Sequence, residues 1–222
     1  MLSDFLSLFF PRLCIICDIT LASGESDICI SCHYKLPKTY DHHQPNDLEK
    51  RFWGKVKVDR CCAYLKFHKG GITQKLLFKI KYKNKKNAAK CLGIIYGNDL
   101  LEAKLYADLI IPVPLHAHKL RTRGYNQSEL FAEGLSQAMK IPLRNELIRI
   151  RKKSTQTNKS RLERWENVEG IYRIQNERNV ENLHIILVDD VITTGATIEV
   201  CVNELLNAGV SKVSIVAIAS AQ

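Results

Sequence analysis

The chain has 222 residues, 45% hydrophobic and 25% charged, which suits one α/β core with a small appendage and argues against a disordered chain. Its formal net charge of +10 favours polyanionic partners, either nucleic acid or a phosphorylated small molecule. No apolar run reaches the roughly 18 residues of a membrane-spanning helix, so no such span is expected.

Residues 1–10 lack the basic start of a secretory signal and read instead as a short amphipathic helix. The protein is therefore expected to be cytoplasmic, with its eight cysteines reduced. Cys14-Ile-Ile-Cys17 and Cys29-Ile-Ser-Cys32 follow, two C-x-x-C knuckles separated by eleven residues, with Gly24 in the polar middle. Two such pairs supply four soft thiolates, a set that suits structural zinc and leaves no open position for catalysis. His33 reads as a surface residue, and Cys61, Cys62, Cys91 and Cys201 read as small core residues because they sit in apolar segments.

Residues 33–50 are polar, with Pro37, Pro45, Asn46 and Asp47, and read as a linker in which His42 and His43 are solvated. The domains expected are residues 1–50, with the cysteine module and linker, and residues 51–222, with the main fold. Residues 55–67 are rich in Val, Cys, Tyr and Phe and predict one or two strands. Gly70-Gly71 turns the chain into a helix over 72–81, marked by Ile72, Leu76, Leu77 and Ile80. It ends in Lys79-Ile80-Lys81-Tyr82-Lys83-Asn84-Lys85-Lys86. Two readings stand: phosphate contacts plus base stacking on a nucleic acid, or a solvated helix end with lysines favourably placed at its C-terminus. A second helix is expected over 88–105.

Residues 108–113 predict a buried strand. Residues 115–127, with His116, Lys119, Arg121, Arg123, Asn126 and Gln127, predict a donor-rich loop before a helix over 128–139. Arg121 and Arg123 can hold a highly charged phosphate group bidentately. A strand over 147–150 follows, then a polar stretch through residue 168 that reads as a mobile loop with a short helix.

The densest pattern is His184-Ile-Ile-Leu-Val-Asp-Asp-Val-Ile-Thr-Thr-Gly-Ala-Thr197. Ile185 to Val188 form a continuous apolar run, a strand buried on both faces of a parallel sheet, and it stops at Asp189 and Asp190. Behind the acids come a hydroxyl-rich turn, Thr193, Thr194, Gly195, Ala196 and Thr197, and a helix over 198–206. Free N–H groups and the helix dipole make that turn a phosphate cradle. Adjacent carboxylates repel a polyphosphate laid over them but accept hydrogen bonds from sugar hydroxyls, so a ribose 5-phosphate fits both halves. The P-loop and Rossmann signatures are absent. A last strand, over 212–218, is expected to close the sheet.

Residues 185–197 resemble the phosphoribosyl-pyrophosphate (PRPP) motif of type I phosphoribosyltransferases. That resemblance implies a parallel sheet flanked by helices, ribose hydroxyls on Asp189 and Asp190, and the 5-phosphate wrapped by Thr193 to Thr197. It also implies a pyrophosphate side at Pro114, Arg121 and Arg123, with Mg²⁺ accompanying PRPP. Within that fold, three features are similar to the ComF family of competence proteins. These are Pro112-Val-Pro-Leu-His116 with Arg121-x-Arg-Gly-aromatic-Asn-Gln127, the spacing of Thr155, Arg164, Asn167, Val168 and Gly170, and the cysteine knuckles. Lys159 and Gly170-Ile171-Tyr172 depart from that family's pattern, on the acceptor side. The resemblance implies a role in DNA uptake, with single-stranded DNA and a helicase as partners. Transfer of phosphoribose to a base or amine, and sensing of PRPP without chemistry, remain alternatives, and no general base is identified.

Overall fold

The computed structural model describes residues 11–43, 46–150 and 171–221. The expected helix over 1–10 and most of the polar stretch before residue 171 lie outside them.

The main sheet has four parallel strands: β1 (Cys61–Phe67), β2 (Leu109–Pro112), β5 (His184–Ile192) and β6 (Lys212–Ala221), in the order β1-β6-β5-β2. The strand over 212–218 was expected to close the sheet, but it runs on to Ala221 and lies inside it. Its run Val213-Ser-Ile-Val-Ala-Ile-Ala-Ser220 is buried throughout, as a strand covered on both faces requires. The edges are covered by irregular chain. Thr39 N–H bonds to Tyr64 O at 3.0 Å and Lys66 N–H to Pro37 O at 2.8 Å beside β1, so part of the expected linker guards that edge. Residues 142–144 do the same for β2.

Successive β5 side chains alternate between two cores, as the two-residue period dictates. Ile186 and Val188 face a layer made by α2 (Ile72–Tyr82), α3 (Lys86–Glu102) and α5 (Gln127–Met139). Ile185 and Leu187 face α6 (Ala196–Asn207) and a small antiparallel pair, β3 (Leu147–Arg149) with β4 (Tyr172–Ile174). Cys14, Ile15, Leu21, Ile28 and Leu36 of the cysteine module, which carries helix α1 (Ile30–Lys35), belong to the first core, beside Tyr64, Leu76 and Tyr96.

Two differences from the sequence reading matter for the site. Residues 117–123 form a helix, α4 (Ala117–Arg123), closed by Gly124 in the left-handed conformation at φ 75°, where a donor-rich loop was expected. β5 also does not stop at its carboxylates: it pairs with β6 as far as Ile192, whereas its pairing with β2 ends at Val188. Beyond Val113, whose N–H still donates to Val188 O at 2.8 Å, no strand among the described residues pairs with β5 on the β2 side, and Asp189 and Asp190 stand there.

Candidate functional site

The acidic pair is assembled from three elements. Asp189 Oδ1 accepts from Ser128 Oγ at 3.2 Å and from the Asp190 backbone N–H at 2.8 Å. Asp190 Oδ2 pairs with Lys81 Nζ at 2.7 Å, and both side chains are about four-fifths covered, with relative exposures of 19% and 21%. Ser128 arrives there because Asn126 caps α5: its side chain accepts from Ser128 N–H at 3.2 Å while its amide donates to Val113 O at 3.0 Å. One residue thus fastens the helix start to the end of β2 and aims a hydroxyl at β5. Burial, then the charge of Asp190, raises the Asp189 carboxyl to about 7; the Asp190 N–H, Ser128 and Lys81 act in the opposite direction.

The turn after β5 leads into α6. Gly195 is its N-cap at φ 88°, and a Cβ there would lie 3.0 Å from the Phe52 ring, so only glycine fits both backbone and space. Glycine offers no side chain to cap the helix, and Thr193, Thr194, Ala196 and Thr197 are exposed around it. Such a helix start, ringed by hydroxyls, is suited to an anion. Arg51 braces it, donating to Thr193 O at 2.9 Å and to Ala221 O.

The cationic residues expected nearby divide. Arg123 donates to Gln127 Oε1 at 2.8 Å and Tyr82 OH at 3.2 Å, its guanidinium 5.1 Å from the Tyr82 ring centroid. Arg121 is exposed two residues earlier, in the same last turn of α4, and Pro114 lines a 190 Å³ recess between the end of β2 and α5. The lysine run also divides: Lys79 pairs with Asp18 of the first knuckle at 2.9 Å, Lys81 with Asp190, and Lys86 sits 5.0 Å over the Tyr125 ring centroid. Lys83 and Lys85 are exposed. Lys81, Ser128 and Arg51 were not singled out as site residues from the sequence. An N-cap pattern, Asn126 two residues before Ser128, is the signal that could have found Ser128; nothing local points to the other two.

The four cysteine sulfurs of Cys14, Cys17, Cys29 and Cys32 lie within 4.8 Å of one another, with Cys17 and Cys29 3.8 Å apart. Tetrahedral coordination with metal–sulfur bonds of about 2.3 Å sets sulfurs about 3.8 Å apart, so the cluster has the dimensions of a zinc-type site. Backbone N–H groups support the sulfurs: Cys29 N–H points at Cys14 Sγ and Cys32 N–H at Cys29 Sγ, each at 3.4 Å. Burial raises the Cys14 thiol, but the N–H groups of Cys29, Cys17 and Ile16 outweigh it and bring it down to about 7. His33 is half-buried against Tyr64 OH at 3.0 Å, His42 is buried, and Cys91 is partly exposed, 3.0 Å from Ser26 Oγ; these three depart from the sequence reading.

Comparison with known proteins bears on the whole chain. Residues 126–222 match the phosphoribosyl transferase domain family. The chain is 27% identical over 230 residues to DNA utilization protein YhgH of Escherichia coli O157:H7, covering 92% of this chain and 95% of that one. It is 26% identical over 226 residues to competence protein ComFC of Bacillus subtilis strain 168, covering 89% and 90%. Glutamine PRPP amidotransferase from B. subtilis superposes with a TM-score of 0.45 at 26% identity, covering 60% of this chain and 26% of that longer one. Parallel sheet, cysteine cluster, phosphoribosyl transferase domain and relatives of matching length are together consistent with a ComF family protein, a phosphoribosyltransferase fold with an N-terminal four-cysteine cluster.

Proposed function

We propose that this protein binds PRPP at the open edge of β5 and acts, as its relatives' names suggest, in the handling of DNA during competence. The observation that carries the reading is a half-buried acidic pair near the end of a central strand, Asp189 and Asp190 of β5, followed within a few residues by a helix start whose N-cap glycine has no capping side chain and which is ringed by threonines. Asp189 and Asp190 accept the ribose hydroxyls, Thr193 to Thr197 with Gly195 hold the 5-phosphate, and Arg121, Arg123 and the Pro114 segment face the diphosphate. The all-oxygen donors of the acidic pair suit Mg²⁺, which when bound neutralises charge between diphosphate and ribose. The four cysteines hold a structural zinc ion.

In transfer, the bond between C1 and the diphosphate oxygen breaks with its electron pair leaving on the diphosphate. A nitrogen lone pair of the acceptor closes on C1, and that nitrogen loses its proton. The chain's residues hold the sugar and stabilise the departing charge. Pyrophosphate release that depends on an added base or amine assigns transfer; PRPP retained without release under every acceptor assigns sensing instead.

The DNA reading rests on the adjoining surface of α2. Phe78 and Tyr82 are exposed on α2 with ring centroids 5.1 Å apart, and Lys83 and Lys85 follow them. Aromatic faces beside lysines suit the bases and phosphates of a single strand. Lys83→Gln with Lys85→Gln is expected to weaken single-strand binding and reduce its salt dependence while PRPP affinity stays as it was. Unaltered DNA affinity would remove the strand from this surface.

A further inference from the structure

Lys81 belongs to neither half of the PRPP motif. It sits in the last turn of α2, more than a hundred residues from Asp190 in sequence, yet its ammonium is the group in closest contact with that carboxylate, at 2.7 Å. Asp189 is held differently, by Ser128 Oγ and the Asp190 N–H. The next residue, Tyr82, anchors Arg123 through its hydroxyl and its ring. The end of α2 therefore joins the carboxylate side of the site to the guanidinium side.

Resting on the PRPP reading, we propose that Lys81 is the residue that makes the site prefer PRPP to ribose 5-phosphate. The ammonium takes Asp190 Oδ2, so a ribose hydroxyl directed at that oxygen competes with it. A ligand carrying only the sugar and its 5-phosphate, in taking that oxygen, displaces the ammonium and leaves it poorly hydrated and without a partner. A ligand with a diphosphate on C1, the carbon next to the 2′-hydroxyl, offers that ammonium a new anion. Lysine suits the exchange because its charge is compact and its four-carbon stem flexible, so it can swing between two anions. The ion pair is kept in both states and only its acceptor alters. The diphosphate thus does more than add contacts: it draws Lys81 away and releases Asp190 for the sugar.

The test is calorimetric titration of PRPP and of ribose 5-phosphate, at one Mg²⁺ concentration, into wild type, Lys81→Met and Lys81→Arg, with thermal unfolding of each variant alongside. Lys81→Met is expected to lose about tenfold or more in PRPP affinity while ribose 5-phosphate binds as well as before or up to about threefold better. The ratio between the ligands then collapses, and Lys81→Arg, which keeps the charge, retains most of it. Equal losses for both ligands would reduce Lys81 to a counter-ion for the acidic pair and overturn the assignment. Affinities unaltered for both in a folded Lys81→Met would make it a bystander, with the same consequence. Wild type that takes up neither ligand would overturn the PRPP reading itself, a result distinct from a wild type whose ratio survives the substitution.

Discussion

Asp189 and Asp190 are neighbours in sequence with different surroundings, and the difference is measurable. Burial and the adjacent carboxylate raise Asp189 to about 7, far above its ordinary value of 3.8, so the ionised form is the costly one in the unliganded protein. A carboxyl raised on folding stabilises the fold at pH values below its unfolded pKa, and that contribution is lost as pH rises through about 7. Unliganded wild type should therefore gain stability relative to Asp189→Asn as pH falls from about 8 to about 5, measured by denaturant unfolding of the two proteins. PRPP affinity should follow the opposite course, strengthening as Asp189 ionises and becomes a pure acceptor for a ribose hydroxyl. A parallel pH dependence in Asp189→Asn would assign both effects to another group. Ser128 acts at this scale too: its hydroxyl helps hold Asp189 ionised, and Ser128→Ala should move the binding profile to higher pH.

At the scale of elements, the position of Ser128 depends on how closely α5 approaches α3. The two helices cross through facing glycines: a Cβ on Gly93 would lie 2.2 Å from Phe131 O and 2.9 Å from the Gly134 Cα, and one on Gly134 would lie 2.1 Å from Lys90 O. The obstructing atoms are backbone, so a methyl group forces the helices apart. Gly134→Ala should cost roughly 3 kcal/mol by denaturant unfolding, at the upper end for overpacked cores, and a loss within experimental error would mean the crossing is not tight.

Local chemistry decided how much of this was legible. Ile185 to Val188 announced a central strand because burial on both faces leaves no room for alternation. The Thr-Gly turn announced a helix start for the reasons that make it one, and the paired C-x-x-C knuckles announced the cluster that the sulfurs form. The run from Lys79 to Lys86 was legible only in part because charge pattern does not reveal direction: helical geometry sends Lys79 to Asp18 and Lys81 to Asp190, leaving Lys83 and Lys85 outside. The segment 115–127 read as a loop because its donors masked a short helix that Gly124 terminates. Arg51 was invisible for another reason: its partners are backbone carbonyls of residues 193 and 221, which no residue pattern encodes.

At the scale of the molecule, the cysteine module is continuous with the sheet's core. Ile15, Leu21, Ile28 and Leu36 share an apolar cluster with β1, α2 and α3, and Lys79 ties Asp18 to α2, the helix that delivers Lys81. Loss of the metal should therefore be felt beyond the module. Cys14→Ser should abolish zinc uptake by elemental analysis and lower the melting temperature of the phosphoribosyltransferase core, since metal binding and folding are linked. A core that melts as in wild type would show the module to be energetically separate. The proposal that PRPP binds at the acidic pair of β5 stands or falls on calorimetric titration of PRPP with Mg²⁺ into wild type and into an Asp189→Asn, Asp190→Asn double variant. Saturable binding by wild type should be lost in a double variant that remains folded; binding of equal strength in both proteins would place PRPP elsewhere.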